Sequence, residues 1–189
     1  VSSPGPLDEA KYAKQVAEGV GIDLTVEDVT AASMIAALDD WVYFNDDPVG
    51  DPSALALMIL SRRVSASGLK VVLAGEGADE LFGGYFSYAR YVLALGAAKI
   101  CGPLFADWSV GLDFRLHDYL SQPDSPYLGS AHVTNARMRQ SLLGSTSAEL
   151  VNRMREIGAG QSPLRRAMHV DLAVRLPSDL LMRTDRATM

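Results

Sequence analysis

The sequence predicts an α/β layer with parallel strands in its first half and an all-helical second half. Two observations carry this. Between residue 7 and about residue 90, helical patterns alternate with two strand-like runs, Ile22-Asp23-Leu24-Thr25-Val26 and Leu69-Lys70-Val71-Val72-Leu73-Ala74. Beyond about residue 90 the strand signals stop and only helical periodicity remains. The division falls between an α/β part, residues 1–92, and a helical part, residues 93–189.

Leu7, Ala10, Tyr12, Ala13, Val16, Ala17 and Val20 make a helical stripe that Gly19 and Gly21 end. The run 22–26 alternates as a short strand does. A second helix is expected over Val26 to Trp41, with Val29, Met34, Ile35 and Leu38 as its apolar set. Asn45 to Gly50 is a polar loop. Asp51-Pro52 opens a third helix, because aspartate caps well and proline is tolerated at the first helical position. Its body, Ala54 to Leu60, is apolar all round, which predicts a buried helix. Gly68 closes it, and the valine- and leucine-rich run 69–74 is expected as a buried strand. Further helices are expected over 135–143, 148–157 and 163–176, the last opened by Ser162-Pro163.

The 189 residues, 48% of them hydrophobic, suffice for one sizeable core. The net charge is -6, the pI is about 5.0, and no block of Lys or Arg stands out, which argues against a nucleic-acid partner. Cys101 is the only cysteine, which excludes an internal disulfide and fits a reducing, cytoplasmic compartment. The apolar stretch Tyr91 to Ala106, interrupted by Lys99, is shorter than the roughly 20 residues a membrane helix needs. It reads as a buried or interfacial helix. The chain opens at Val1 and closes at Met189 inside a run without a Gly or Pro stop, so both ends read as cut.

The chemistry concentrates in Val71 to Tyr85. A strand ends at Ala74, and Gly75 and Gly77 flank Glu76. Asp79 and Glu80 open a helix expected to carry Leu81, Phe82, Tyr85 and Tyr88. In open α/β sheets ligands bind beyond the carboxyl ends of the strands. Glycines let backbone N–H groups approach a phosphate, and a helix N-terminus suits an anion. Glu76, Asp79 and Glu80 repel one another unless a cation or proton intervenes. Mg²⁺ held by one or two carboxylates plus substrate phosphates is one solution. A carboxylate free of metal would serve as a general base toward an amine. The plainer reading makes Asp79 and Glu80 first-turn acids and the glycines a turn. It leaves Glu76 and the pair Gly83-Gly84 unexplained, since each glycine in a helix costs roughly 1 kcal/mol.

The run Val71 to Tyr85 resembles the signature of the synthetase domain of glutamine-hydrolysing asparagine synthetases. Asp8 to Gly21, Asp51-Pro52-Ser53-Ala54 and Leu180 to Met189 are similar to further stretches of that family. The resemblance implies a truncated Rossmann-like layer of the adenine-nucleotide alpha-hydrolase, or PP-loop ATPase, type. It implies ATP and Mg²⁺, an aspartate side chain adenylated with release of pyrophosphate, and ammonia from a glutaminase domain displacing AMP. Ala74 and Gly75 match nucleotide contacts, with Gly77 beside them. Glu76 matches the glutamate of the aspartyl-AMP step, Asp79 a Mg²⁺–pyrophosphate ligand, and Val1 a hydrophobic adenine contact. Relatives that close β-lactam rings have tyrosine where this chain has Glu76, which points to the ammonia-using branch. Lasso-peptide cyclases and other amide-forming relatives keep a similar loop.

The family's Ser-Gly-Gly-x-Asp-Ser pyrophosphate loop, its glutaminase cysteine and a distant lysine are not in this sequence. The chain alone is therefore expected not to form the adenylate. A layer without its first strand and helix exposes an edge and an apolar face, which predicts a homo-oligomer. A non-catalytic module that binds a nucleotide or a partner protein is the reading from another class. Arg183, Asp185 and Arg186 either line an acidic-substrate pocket or form surface pairs. Trp41-Val42-Tyr43-Phe44 either stacks an adenine or packs into a core. His117, His132 and His169 lack metal spacing.

Overall fold

The computed structural model describes residues 9–46, 50–101, 127–129, 134, 136–144 and 148–188. The chain divides into two units, Val1–Ala74 with Leu181–Met189, and Gly75–Leu180.

In the first unit, α1 (Ala10–Val20) ends as its glycine predicts: Gly21 turns left-handed at φ 75° and its N–H bonds the carbonyl of Ala17 at 2.9 Å. The helix expected over Val26–Trp41 is instead two, α2 (Ala31–Ala36) and α3 (Leu38–Asn45). Thr30 sets the start. Its hydroxyl accepts from the Ser33 N–H at 3.1 Å, while the Ser33 hydroxyl accepts from the Thr30 N–H at 2.9 Å, a reciprocal cap that leaves 26–29 outside. Ahead of α4 (Ser53–Ala66), Asp51 Oδ1 accepts from the Ser53 N–H at 2.9 Å, so the aspartate caps as expected. Only Ala54 and Met58 of that helix are fully buried, and the other apolar residues between Leu55 and Leu60 are half-buried. The last helix, α10 (Met182–Thr188), packs on α4 and α3 around Trp41, Ala54, Met58 and Ala187. Ser61 donates to the Ala187 carbonyl at 2.6 Å across that contact. Trp41 thus packs into the core, while Tyr43 is exposed.

No strand ladder forms among the described residues, so the helical content of the expectation is seen in them and the α/β layer is not. The runs 22–26 and 69–74 lie outside the helices, and the second is not buried: Val71 is 82% and Leu73 99% exposed. The reason is physical. A strand is covered only when other strands flank it and helices lie on its faces, and no described residue supplies that cover.

The described residues of the second unit are mostly helical, in keeping with the helical periodicity expected beyond about residue 90. It contains α5 (Ala78–Phe82), α6 (Phe86–Cys101), α7 (Ala136–Leu143), α8 (Ala148–Ile157) and α9 (Pro163–Val170). The single helix expected over 163–176 ends at Val170, and a π-helix, Asp171–Leu181, carries the chain on. Pro177 sits inside it; lacking an N–H, it breaks the regular α ladder. Tyr88, Tyr91, Ala94 and Leu95 form one face of α6 and bury against Tyr127, Met154, Ala167 and Val170. No helix among the described residues is long and apolar enough to cross a membrane.

Candidate functional site

Residues 75–85 make a glycine-punctuated turn around the short helix α5, whose first turn carries Asp79 and Glu80 as expected. The Gly75 carbonyl accepts from the Ala78 N–H at 3.3 Å, which closes a turn over Glu76 and Gly77. Gly77 is buried at φ 90°, a left-handed conformation that a side chain resists. Space itself would admit a Cβ there, at ordinary contact 3.4 Å from a methyl of Leu176, so the backbone conformation is what calls for glycine. The expected single helix through Tyr88 is corrected to two. Gly83, at φ 72°, donates to the Asp79 carbonyl at 2.8 Å and closes α5, and α6 restarts at Phe86. Gly84 has its own reason, because a Cβ there would strike the Asp79 carboxylate. The glycine pair is thus a cap followed by a cradle, and neither sits inside a helix.

This backbone sorts the three acids. Glu76 and Asp79 are exposed, whereas Glu80 is 1% exposed. The expected cluster is therefore two outward carboxylates and one inward. Glu80 Oε1 accepts from the Tyr85 hydroxyl at 2.6 Å and lies 3.8 Å from Arg175 Nη1. Burial and that bond to a carboxylate raise the Tyr85 phenol above its usual range. Beyond it, Tyr127 donates to the buried Asp171 at 3.3 Å. Burial and the Asp171 carboxylate raise Tyr88 likewise.

Of the residues singled out from sequence, Gly75, Glu76, Gly77 and Asp79 thus share one turn of the second unit. Ala74 is the last residue of the first unit's main segment. Arg183, Asp185 and Arg186 lie on α10. Arg183 is buried and paired with Asp51, Arg186 Nη1 is 3.1 Å from Asp46, and Asp185 is exposed. Val1, His117 and His132 lie outside the described residues. His169 Nδ1 is 2.7 Å from Gln161 Nε2. The Glu80–Tyr85–Arg175 cluster escaped the sequence reading. Its one signal was the lone charge of Arg175 within Leu172-Ala173-Val174-Arg175-Leu176.

Among the described residues no three His, Cys, Asp or Glu side chains group to hold a metal by protein alone. An exposed Asp79 carboxylate accommodated by Gly84 fits the other mode, in which Mg²⁺ takes one carboxylate and completes its shell with substrate phosphates and water.

The family model described as asparagine synthase matches residues 2–189. A Mycobacterium tuberculosis protein, provisionally named a glutamine-hydrolysing asparagine synthetase, is 31% identical over 97% of this chain and 30% of its own length. Asparagine synthetase 1 (glutamine-hydrolysing) of Bacillus subtilis is 27% identical over 97% of this chain and 31% of its own. Asparagine synthetase 1 (glutamine-hydrolysing) of Saccharomyces cerevisiae is 36% identical over 43% of this chain and 15% of its own. The chain spans about a third of the length of the first two relatives. No solved structure matches it.

Proposed function

The chain belongs to the asparagine synthase family, and we propose that it is the adenylating part of a glutamine-hydrolysing, ATP-dependent asparagine synthetase. The observation that carries this is the turn 75–84, which presents Glu76 and Asp79 outward beside a buried left-handed glycine.

In this reading an oxygen of the aspartate side-chain carboxylate attacks the α-phosphorus of ATP. The bond to the bridging oxygen breaks and pyrophosphate leaves. Ammonia then attacks the acyl carbon, loses a proton, and AMP departs. Glu76 takes that proton, for which an exposed carboxylate facing solvent and substrate is suited. Backbone at Ala74, Gly75 and Gly77 lies against the nucleotide, where side chains would intrude. Asp79 would hold Mg²⁺, which would supply charge neutralisation on the pyrophosphate. Ammonia comes from a glutaminase domain of the parent protein. The apolar run 69–74 is a strand of a Rossmann-like layer in the whole enzyme; the exposure of Val71 and Leu73 supports this, as does the exposure of Ile22 and Leu24 in the run 22–26. Activity belongs to that whole enzyme, since this stretch matches only about a third of its Mycobacterium tuberculosis relative.

The test is aspartate-dependent exchange of labelled pyrophosphate into ATP by the full-length parent protein. The expected result is exchange that Asp79→Ala reduces by at least about 100-fold, and ammonia-dependent asparagine formation that Glu76→Ala reduces by as much. No exchange with aspartate, but exchange with another carboxylic acid, would move the protein to a different acceptor.

A further inference from the structure

Helix α5 has barely more than one turn, too short to hold its shape alone. What steadies it lies on its inner side. Leu176 packs against Gly77 at its start, and Met168 lies 3.7 Å from the Cβ position of Gly83 at its end. Between them the helix buries Glu80, and a buried carboxylate is tolerated only when paired.

Arg175 supplies the pairing. Its side chain is 18% exposed, its Nη1 is 3.8 Å from Glu80 Oε1, and its Nε is 3.7 Å from Asp179 Oδ2. The guanidinium also lies over the Tyr85 ring, 5.0 Å from the centroid, while the Tyr85 hydroxyl donates to the same Glu80 oxygen. One planar cation thus joins Glu80 of α5 to Tyr85 and to Asp179 of its own helix. Glu80 Oε2 is buried with no hydrogen-bond partner among the described residues. Compensation of that carboxylate therefore rests on Arg175 and Tyr85, and both matter more than in a fully bonded network.

We propose that Arg175 is a positioning residue for the adenylating turn: through Glu80 and Tyr85 it fixes α5, and with it the outward carboxylates of Asp79 and Glu76. The proposal rests on the function proposed above for that turn. Arg175 touches no substrate in this account. The π-helix that carries it places Arg175 and Leu176, neighbours in sequence, at Glu80 and at Gly77. Such helical irregularities recur at functional sites.

The experiment uses the full-length parent enzyme with Arg175→Met, Arg175→Lys, and Arg175→Met combined with Glu80→Gln. Two readouts are taken: aspartate-dependent pyrophosphate exchange, and hydrogen exchange at the amides of Leu81 and Gly83, which bond the carbonyls of Gly77 and Asp79. Arg175→Met is expected to lower turnover about 10- to 100-fold while the KM for aspartate changes by less than about threefold. Both amides lose protection while those of α8 keep theirs. Lysine restores part of the turnover, because it returns the charge without the planar fork. The double variant exceeds Arg175→Met alone, because the uncompensated carboxylate is gone. Wild-type turnover and protection in Arg175→Met overturns the proposal, as does protection lost equally in α5 and α8. If the wild-type enzyme shows no aspartate-dependent exchange, the functional reading falls, and amide protection in Arg175→Met still decides the positioning role.

Discussion

Arg183, on the last helix, pairs with Asp51, 132 positions earlier, and the arginine is only 5% exposed. Asp51 does two jobs with its two oxygens. Oδ1 caps α4 through the Ser53 N–H, and Oδ2 takes the guanidinium. Burial pushes the Asp51 carboxyl up, but the hydrogen bonds from Ser53 and the Arg183 charge outweigh it and hold the group below its usual range. Arg183 therefore ties α10 to the start of α4, whatever further role it has toward a substrate.

Replacing Arg183 with methionine keeps the length of the stem and removes the fork. Asp51 is partly exposed and can turn to water, so the cost stays below that of a fully buried pair, at about 1–3 kcal/mol. The pH dependence follows from the lowered pKa. The stabilisation is complete above the unfolded value of 3.8 and is lost as pH falls through the lower folded value. Urea unfolding of wild type and Arg183→Met should differ by a constant amount from pH 7 to 5 and converge below about 3.8. A difference that persists undiminished in acid would show that packing, and not the ion pair, carries it.

Gly84→Ala is expected to damage the site more than the fold. The new methyl meets the Asp79 carboxylate and must turn it away. In the parent enzyme this should lower pyrophosphate exchange about 10- to 100-fold and raise the Mg²⁺ needed for half-activity. Gly96→Ala is the matched control. It lies inside α6 with nothing within 4 Å of its Cβ position. Alanine there should raise stability by about 0.4–1 kcal/mol and leave exchange untouched. Equal activity in the two variants would remove the argument for Asp79.

The legible parts of the molecule were those decided by neighbours in sequence. Gly21, Asp51 and the starts of α7 to α9 follow from local capping and periodicity. Thr30 and Ser33 show how a local signal can be overlooked, because a capping box whose third residue is serine hides inside an apolar pattern. The run 69–74 failed for a different reason. Its burial depends on flanking strands and helices, which composition cannot supply. The signature turn was legible as chemistry but not as geometry. That Glu80 faces inward depends on Arg175, 95 positions away, and no spacing rule connects them.

Tyr88 is fully buried beside Asp171, and its phenol is raised above the usual value of 10.0. A phenol so raised keeps its proton in the folded state after the unfolded chain has lost it. The contribution is complete below about pH 10 and is lost as pH rises toward the folded value. Melting temperature should therefore fall steeply above pH 10, with each such tyrosine contributing about 1 kcal/mol per pH unit. Tyr88→Phe should flatten that limb relative to wild type. Parallel alkaline limbs in the two proteins would mean that Tyr88 titrates normally.

The exposed run 69–74 leads to the expectation that the chain on its own self-associates. Leu69, Val71, Val72 and Leu73 are all exposed, in backbone outside any helix and without a ladder among the described residues. Such a segment offers unpaired N–H and C=O groups together with apolar side chains, which another copy can satisfy by strand pairing. The net charge of -6 opposes association only weakly, and salt screens it. Sedimentation velocity should then show larger species that grow with concentration and grow further at 0.5 M salt, where roughly half the physiological Debye length remains. Val71→Lys with Leu73→Lys should return the chain toward monomer, because edge lysines block pairing. A wild-type chain that stays monomeric at high concentration and high salt would mean that these residues are covered within a single copy.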